Sequence, residues 1–186
     1  MGLLDGQVAI ISGIGPGMGR DAALACTREG AKVALAARTP SKVESVAKEV
    51  ETLGGSALAI PTDVTDLSQI DHLVESTVAE FGRIDILVNN AFAQPPFETL
   101  EEMNLDSWYT SLEVNCTSAL KMSRAVLPTM REQGCGSIVN ISTMSIRTNK
   151  PMFGAYAAAK SAMTSITRTM AKEVGPDGIR VNAVCP

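Results

Sequence analysis

The run Val8-Ala9-Ile10-Ile11-Ser12-Gly13-Ile14-Gly15-Pro16-Gly17-Met18-Gly19 decides the fold. Val8 to Ile11 has no polar face, as expected of a short strand buried on both sides. Ser12-Gly13 ends it, and four glycines up to position 19 make a tight loop before a helical pattern begins at Arg20. A strand, a glycine loop and a helix in that order aim backbone N–H groups and the positive end of a helix dipole at one point, where a Cβ would hold an anion off. Gly13, Gly17 and Gly19, with Met18 among them, are therefore candidate contacts for a dinucleotide's pyrophosphate, although the spacing here is G-x-x-x-G-x-G rather than G-x-G-x-x-G.

Outward from that unit the pattern repeats. Lys32 to Ala37, Ala57 to Ile60, Ile84 to Val88, Ser137 to Ile141 and Ile179 to Val184 read as further strands. Between them a helix capped by Thr39 or Ser41 turns Val43, Val46, Ala47 and Val50 inward and stops at Gly54-Gly55. Another opens at Thr65-Asp66, buries Ile70, Leu73, Val74, Thr77 and Val78, and closes at Phe81-Gly82. A long helix is expected from about Asp106 to Met130, then a loop over Ser142 to Pro151 and a helix from about Gly154 to Glu173. Apolar strands alternating with helices call for an α/β fold, a doubly wound parallel sheet of six strands forming one domain over residues 1–186. With no helix behind the sixth strand, one face of the sheet should lack cover, and the expectation is a domain truncated after that strand.

Composition bounds the function. A chain of 186 residues, 45% hydrophobic and 19% charged, is globular and can bury a sizeable core. Its net charge of −4 gives no general attraction for nucleic acid or an anionic membrane, so the partner must be sought in a local site. Cys26, Cys116, Cys135 and Cys185 show no C-x-x-C pairing, and the lone histidine is His72, so reduced thiols are expected and no metal site. No apolar run approaches the ~20 residues of a membrane span, and the Met1-Gly2-Leu3-Leu4 start lacks the features of a signal peptide. A soluble, cytoplasmic protein is expected, with His72 on the surface and Met122, Met130, Met163 and Trp108 used for packing.

Four places carry chemistry beyond the glycine loop. An acidic residue at the end of the second strand would accept ribose hydroxyls of NAD, but here Arg38 follows Ala37, and a guanidinium suits a 2′-phosphate. Pro16 occupies a loop position where a second basic residue could have joined, so NADP is favoured and NAD stays open. Asp63 could accept from an adenine amino group with Val64 against the ring, or could simply serve the following helix as N-terminal charge. Tyr156 and Lys160, four residues apart, share a helix face. An ammonium ~4 Å from a phenol, at an effective dielectric of about 20, would stabilise phenolate by about 4 kcal/mol and lower its pKa by roughly three units. Upstream, Ser142-Thr143-Met144-Ser145 brings hydroxyls to the carboxyl end of the fifth strand, the end where open α/β sheets bind ligands.

Taken together, Ser12-Gly13 to Gly19, Asn89-Asn90-Ala91 and the Tyr156-x-x-x-Lys160 pair resemble, in order, the T-G-x-x-x-G-x-G, N-N-A-G and Y-x-x-x-K motifs of the short-chain dehydrogenase/reductase family. The resemblance covers essentially the whole chain and implies a Rossmann-type fold and an oxidoreductase that moves hydride between a nicotinamide cofactor and a secondary alcohol or ketone. It implies that Tyr156 is the general acid and base, that Lys160 tunes it and holds the nicotinamide ribose, that Asn115 keeps a water in a proton relay, and that Asn90 belongs to the cofactor site. Thr143 stands where the family usually has the catalytic serine, with Ser142 and Ser145 as alternatives. Phe92 stands where the family usually has glycine. The resemblance also implies a homodimer or homotetramer, paired through the long helix and the helix of Tyr156. The reading from another class is a dinucleotide-binding sensor or structural subunit without turnover.

Overall fold

The computed structural model describes residues 2–186. Six parallel strands form one sheet in the order β3-β2-β1-β4-β5-β6. They are β1 (Val8–Ser12), β2 (Lys32–Ala37), β3 (Ala57–Pro61), β4 (Ile86–Asn89), β5 (Gly136–Ile141) and β6 (Ile179–Val184). The chain winds outward from β1 to β3, then returns to place β4 on the other side of β1. That reversal leaves a crevice beyond the carboxyl ends of β1 and β4, the topological switch point of a doubly wound sheet. In register, Ile11 of β1 lies between Leu35 of β2 and Val88 of β4.

Two apolar layers sandwich the sheet because successive strand residues point to opposite faces. On one face Ala9, Ile11, Val33 and Leu35 pack against α1 (Met18–Arg28) and α2 (Pro40–Thr52) through Ala23, Leu24, Val43, Val46 and Val50. On the other, Ile10, Ala34, Leu87 and Ile138 pack against α3 (Leu67–Phe81), α5 (Ser118–Gln133) and the end of α7 (Gly154–Val174). Burying such aliphatic side chains is worth about 1.5–3 kcal/mol each, which holds the strand ends in fixed register beneath the crevice. The four cysteines are free thiols. No helix among the described residues is long and apolar enough to cross a membrane.

Local signals match the elements closely. Pro40 starts α2 after Thr39, although the Thr39 hydroxyl makes no capping bond. Asp66 caps α3 by accepting from the N–H groups of Ser68 and Gln69, and Gly82 ends it in the left-handed conformation. His72 is exposed on α3. Along β6, Ile179 and Val181 are buried, while Arg180, Asn182 and Val184 on the opposite face are exposed, so the expected shortfall of cover is present there.

Two expectations need correction. The strand expected from Ile84 starts at Ile86; just before it Asp85 still bonds through its backbone to Val8 O and Ser137 N–H, while its carboxylate accepts from Val8 N–H and Arg83. The long helix has the expected extent but is not continuous. It comprises α4 (Leu105–Leu112), a π turn over Glu113–Thr117 and then α5, with the N–H of Ser118 donating to Glu113 O five residues back. The loop between β5 and α7 also holds a single helical turn, α6 (Ser145–Thr148).

Candidate active site

The end of β1 and the end of β4 are sewn together by one hydroxyl. Ser12 Oγ donates to Val88 O at 3.3 Å and accepts from the N–H groups of Asn90 and Ala91 at 3.2 and 3.3 Å. Asn90 Nδ2 donates to Gly13 O at 2.9 Å, which fixes the start of the glycine loop. Two glycines are demanded by this approach. Gly13 has φ +76°, and a Cβ there would lie 2.6 Å from Ala91 backbone atoms. A Cβ on Gly19 would lie 2.4 Å from Gly13 O. Gly15 and Gly17 meet nothing within 4 Å, so they face open space.

That open space is a cavity of about 1150 Å³ over the switch point. Its wall includes Gly13, Gly17, Met18 and Gly19 from the glycine loop and α1, and Asn90, Ala91 and Phe92 beyond β4. Arg38 lies in the wall beyond β2, with Asp63 and Val64 beyond β3, Ser142 beyond β5, and Tyr156 and Lys160 on α7. The structure therefore brings together every cofactor-site residue expected from the sequence.

Asp63 lines the wall and also serves the turn into α3. Asp66, not Asp63, caps α3. Asp63 Oδ1 accepts from Thr65 N–H at 2.9 Å and Thr65 Oγ1 at 2.7 Å. Burial pushes its carboxyl up, but these two bonds and the nearby Arg38 outweigh burial and hold it below the usual carboxylate value.

Lys42, in the first turn of α2, lines the cavity four residues beyond Arg38. Sequence reasoning missed it. The signal was legible, because Pro40 starts the helix and brings the first turn round to the side of Arg38. No carboxylate stands among the residues that line the cavity at the end of β2, which are Ala37, Arg38, Thr39 and Lys42.

Two of the expected residues lie outside the wall. Asn115 is 1% exposed in the π turn, where its side chain pairs with the Ala93 backbone: Ala93 N–H donates to Oδ1 at 3.1 Å, and Nδ2 donates to Ala93 O at 2.8 Å. Its bonds hold the segment after β4 in place, a role that spacing alone could not disclose. Thr143 accepts from Ser145 N–H and donates to Ser145 Oγ, both at 3.2 Å, and its hydroxyl is near enough to the Tyr156 phenol to affect its ionisation. Ser142 is buried, its hydroxyl paired with Thr164 Oγ1 at 3.1 Å. Of the three candidate hydroxyls, Thr143 is the one that reaches toward Tyr156.

The comparisons with known proteins fit this geometry. Residues 7–186 match the family model for short chain dehydrogenases. The chain belongs to the short-chain dehydrogenase family. A short chain dehydrogenase/reductase of Aspergillus oryzae is 39% identical over 98% of this chain and 71% of its own length. A 3-oxoacyl-(acyl-carrier-protein) reductase of Synechocystis is 34% identical over 100% of this chain and 75% of its own. Carveol dehydrogenase from Mycobacterium avium, solved in complex with NAD, superposes with a TM-score of 0.96 at 32% identity, over 100% of this chain and 72% of that one. This short-chain dehydrogenase is thus an oxidoreductase with a Rossmann-type sheet.

In this dehydrogenase the expected lowering of the Tyr156 phenol by Lys160 is corrected. Burial pushes the phenol above its ordinary value, with the Thr143 hydroxyl working against that rise. The Lys160 ammonium turns into the protein, donating to Ile141 O at 2.7 Å. Sharing a helix face did not deliver its charge to the phenol. Lys160 is 2% exposed, and burial lowers its own pKa to about 8.

A pH signature follows from that depression. Between about pH 8 and 10.5 the unfolded chain retains a proton at Lys160 that the folded chain has released. This group therefore raises stability as pH climbs through that window and penalises the folded state below it. Urea titrations of the cofactor-free protein and of Lys160→Met should show the wild type gaining about 3 kcal/mol on the variant from pH 8 to 10.5. A constant difference between the two would mean that Lys160 titrates normally.

Proposed function

We propose that the protein interconverts a secondary alcohol and a ketone, with Tyr156 as general acid in reduction and general base in oxidation. The observation that carries this reading is a phenol in the wall of the same cavity as the glycine loop, with the Thr143 hydroxyl beside it and Lys160 one turn further along α7. The cavity fits a dinucleotide because Gly15 and Gly17 leave open space where a side chain would intrude. When bound, the nicotinamide supplies or accepts the hydride.

The chain's own residues then divide the work. Gly13, Gly17, Met18 and Gly19 hold the pyrophosphate, while Asn90 keeps that loop in place through Gly13 O. Val64 packs on the adenine, and Asp63 accepts from its amino group. Thr143 polarises the substrate oxygen, and Tyr156 gives it a proton or takes one. A phenol raised by burial keeps its proton at neutral pH, which suits donation in the reductive direction. Lys160, charged below about pH 8, binds the nicotinamide ribose. Asn115 positions the segment after β4 and supports the water of the proton relay. Two cations, Arg38 and Lys42, with no acid at the end of β2, favour NADP over NAD. We also propose a homodimer or homotetramer through α4, α5 and α7, supported by the exposed Leu105 and Tyr109 on α4.

Tyr156→Phe removes the proton donor and should lower kcat for ketone reduction by about 10²–10⁴-fold while cofactor still binds. Unimpaired reduction would eliminate the proposed proton chemistry. Arg38→Asp replaces a charge-assisted bond with repulsion and should weaken NADPH against NADH by about tenfold or more in fluorescence titrations. An unchanged ratio would remove the basis for NADP preference.

A further inference from the structure

Phe92 is an aromatic side chain in a place that packing does not explain. It follows Ala91, is 56% exposed, and yet lies in the wall of the cavity. Its backbone is pinned on both sides: Ala91 N–H donates to Ser12 Oγ, and Ala93 is paired at both its N–H and its C=O with Asn115. The point from which the ring projects is therefore fixed, while the contact with Tyr156 sets where the ring lies. That place is edge-on to Tyr156, with centroids 6.2 Å apart and ring planes at 71°.

The contact belongs to a larger apolar strip. Phe97 packs on Phe153 with centroids 5.1 Å apart, and Leu100 lies against Gly154, where a Cβ would come within 2.5 Å of Leu100 Cδ2. The segment after β4 thus runs along the first turn of α7, the turn that carries Tyr156. Phe97 and Leu100 remain exposed beside it, as do Met144 and Met152 from the neighbouring loop. The charged groups of this region are Glu98, with one buried carboxylate oxygen lacking a partner, and Arg147 and Lys150, both exposed. None of these three lines the cavity, nor do Phe97, Leu100, Met144 and Met152; the charged groups in its wall are Arg38, Lys42, Asp63, Glu113 and Lys160, and Phe92 with Tyr156 is an aromatic part of that wall.

Building on the oxidoreductase reading above, we propose that Phe92 is a specificity-determining residue: with Tyr156 it forms an aromatic wall that selects uncharged ketones and secondary alcohols bearing a flat, apolar substituent on the reacting carbon. A ring that projects from a fixed backbone into the cavity wall beside Tyr156 offers apolar area to such a substituent. A charged or hydroxylated substituent placed against Phe92 would lose water without gaining a partner from that ring.

The test uses the protein saturated with oxidised cofactor, which cannot reduce a ketone, so that binding is read without turnover. Ligand-observed NMR titrations compare acetophenone with 2-butanone in wild type, Phe92→Gly and Phe92→Leu. The expected result is a wild-type preference for acetophenone that falls about tenfold in Phe92→Gly, the scale of one lost apolar contact in a specificity pocket, with Phe92→Leu intermediate. Equal preference in wild type and Phe92→Gly, or tighter binding of phenylglyoxylate than of acetophenone by wild type, would overturn it. A Phe92-dependent preference in a protein that reduces neither ketone would sustain this assignment and defeat the oxidoreductase reading. With NADPH supplied in a parallel assay, reduction of both ketones with no dependence on Phe92 would do the reverse.

Discussion

The backbones leaving β1 and β4 approach at Gly13 and Ala91 more closely than any side chain at Gly13 would allow. The parallel sheet creates this meeting, because its strand order places β4 directly beside β1. Ser12 then ties the two loops with one hydroxyl, and Asn90 closes the tie from the other side through Gly13 O. The floor of the cavity, the turn into α1 and the position of Phe92 all follow from that junction. It is also why two of the loop's glycines answer to packing while Gly15 and Gly17 answer to the space above.

A second constraint reaches the site from the helices. The π turn in the long helical region buries Asn115, whose amide grips Ala93, so the segment after β4 is held at Ala91 by the sheet and at Ala93 by a helix. Such turns recur at functional sites because they redirect one side chain without ending the helix. Electrostatics at Tyr156 run opposite to simple pairing. Burial dominates both partners, raising the phenol and lowering the ammonium. The protein without cofactor therefore favours a protonated phenol, and a bound cofactor, by engaging Lys160, has room to shift that balance.

Much of this was legible in the sequence. Apolar runs and glycine stops are local signals, and they placed the six strands to within two residues and the long helices to within three, while α6 was expected as loop. Much of the cofactor wall was legible too, since Gly13, Arg38, Asp63, Val64, Asn90 and Ser142 follow strands and a parallel sheet brings all such ends to one edge. What escaped depended on contacts between distant segments. The pairing of Asn115 with Ala93, the turn of Lys160 toward Ile141 O and the contact of Phe92 with Tyr156 join residues from different elements. The π turn likewise left no trace in an apolar pattern that tolerates one extra residue. Lys42 could have been found by counting on from Pro40.

The central claim is that this cavity holds a reduced nicotinamide cofactor against a carbonyl protonated by Tyr156. Its most direct measurement is isotopic: the protein is given acetophenone and NADPH deuterated at C4 on the transferred face, in ordinary water, and the alcohol is analysed by mass spectrometry and NMR. The account predicts one deuterium on the carbinol carbon and a hydroxyl proton from solvent. An alcohol formed without deuterium at that carbon, or no alcohol with any ketone despite bound cofactor, would contradict it.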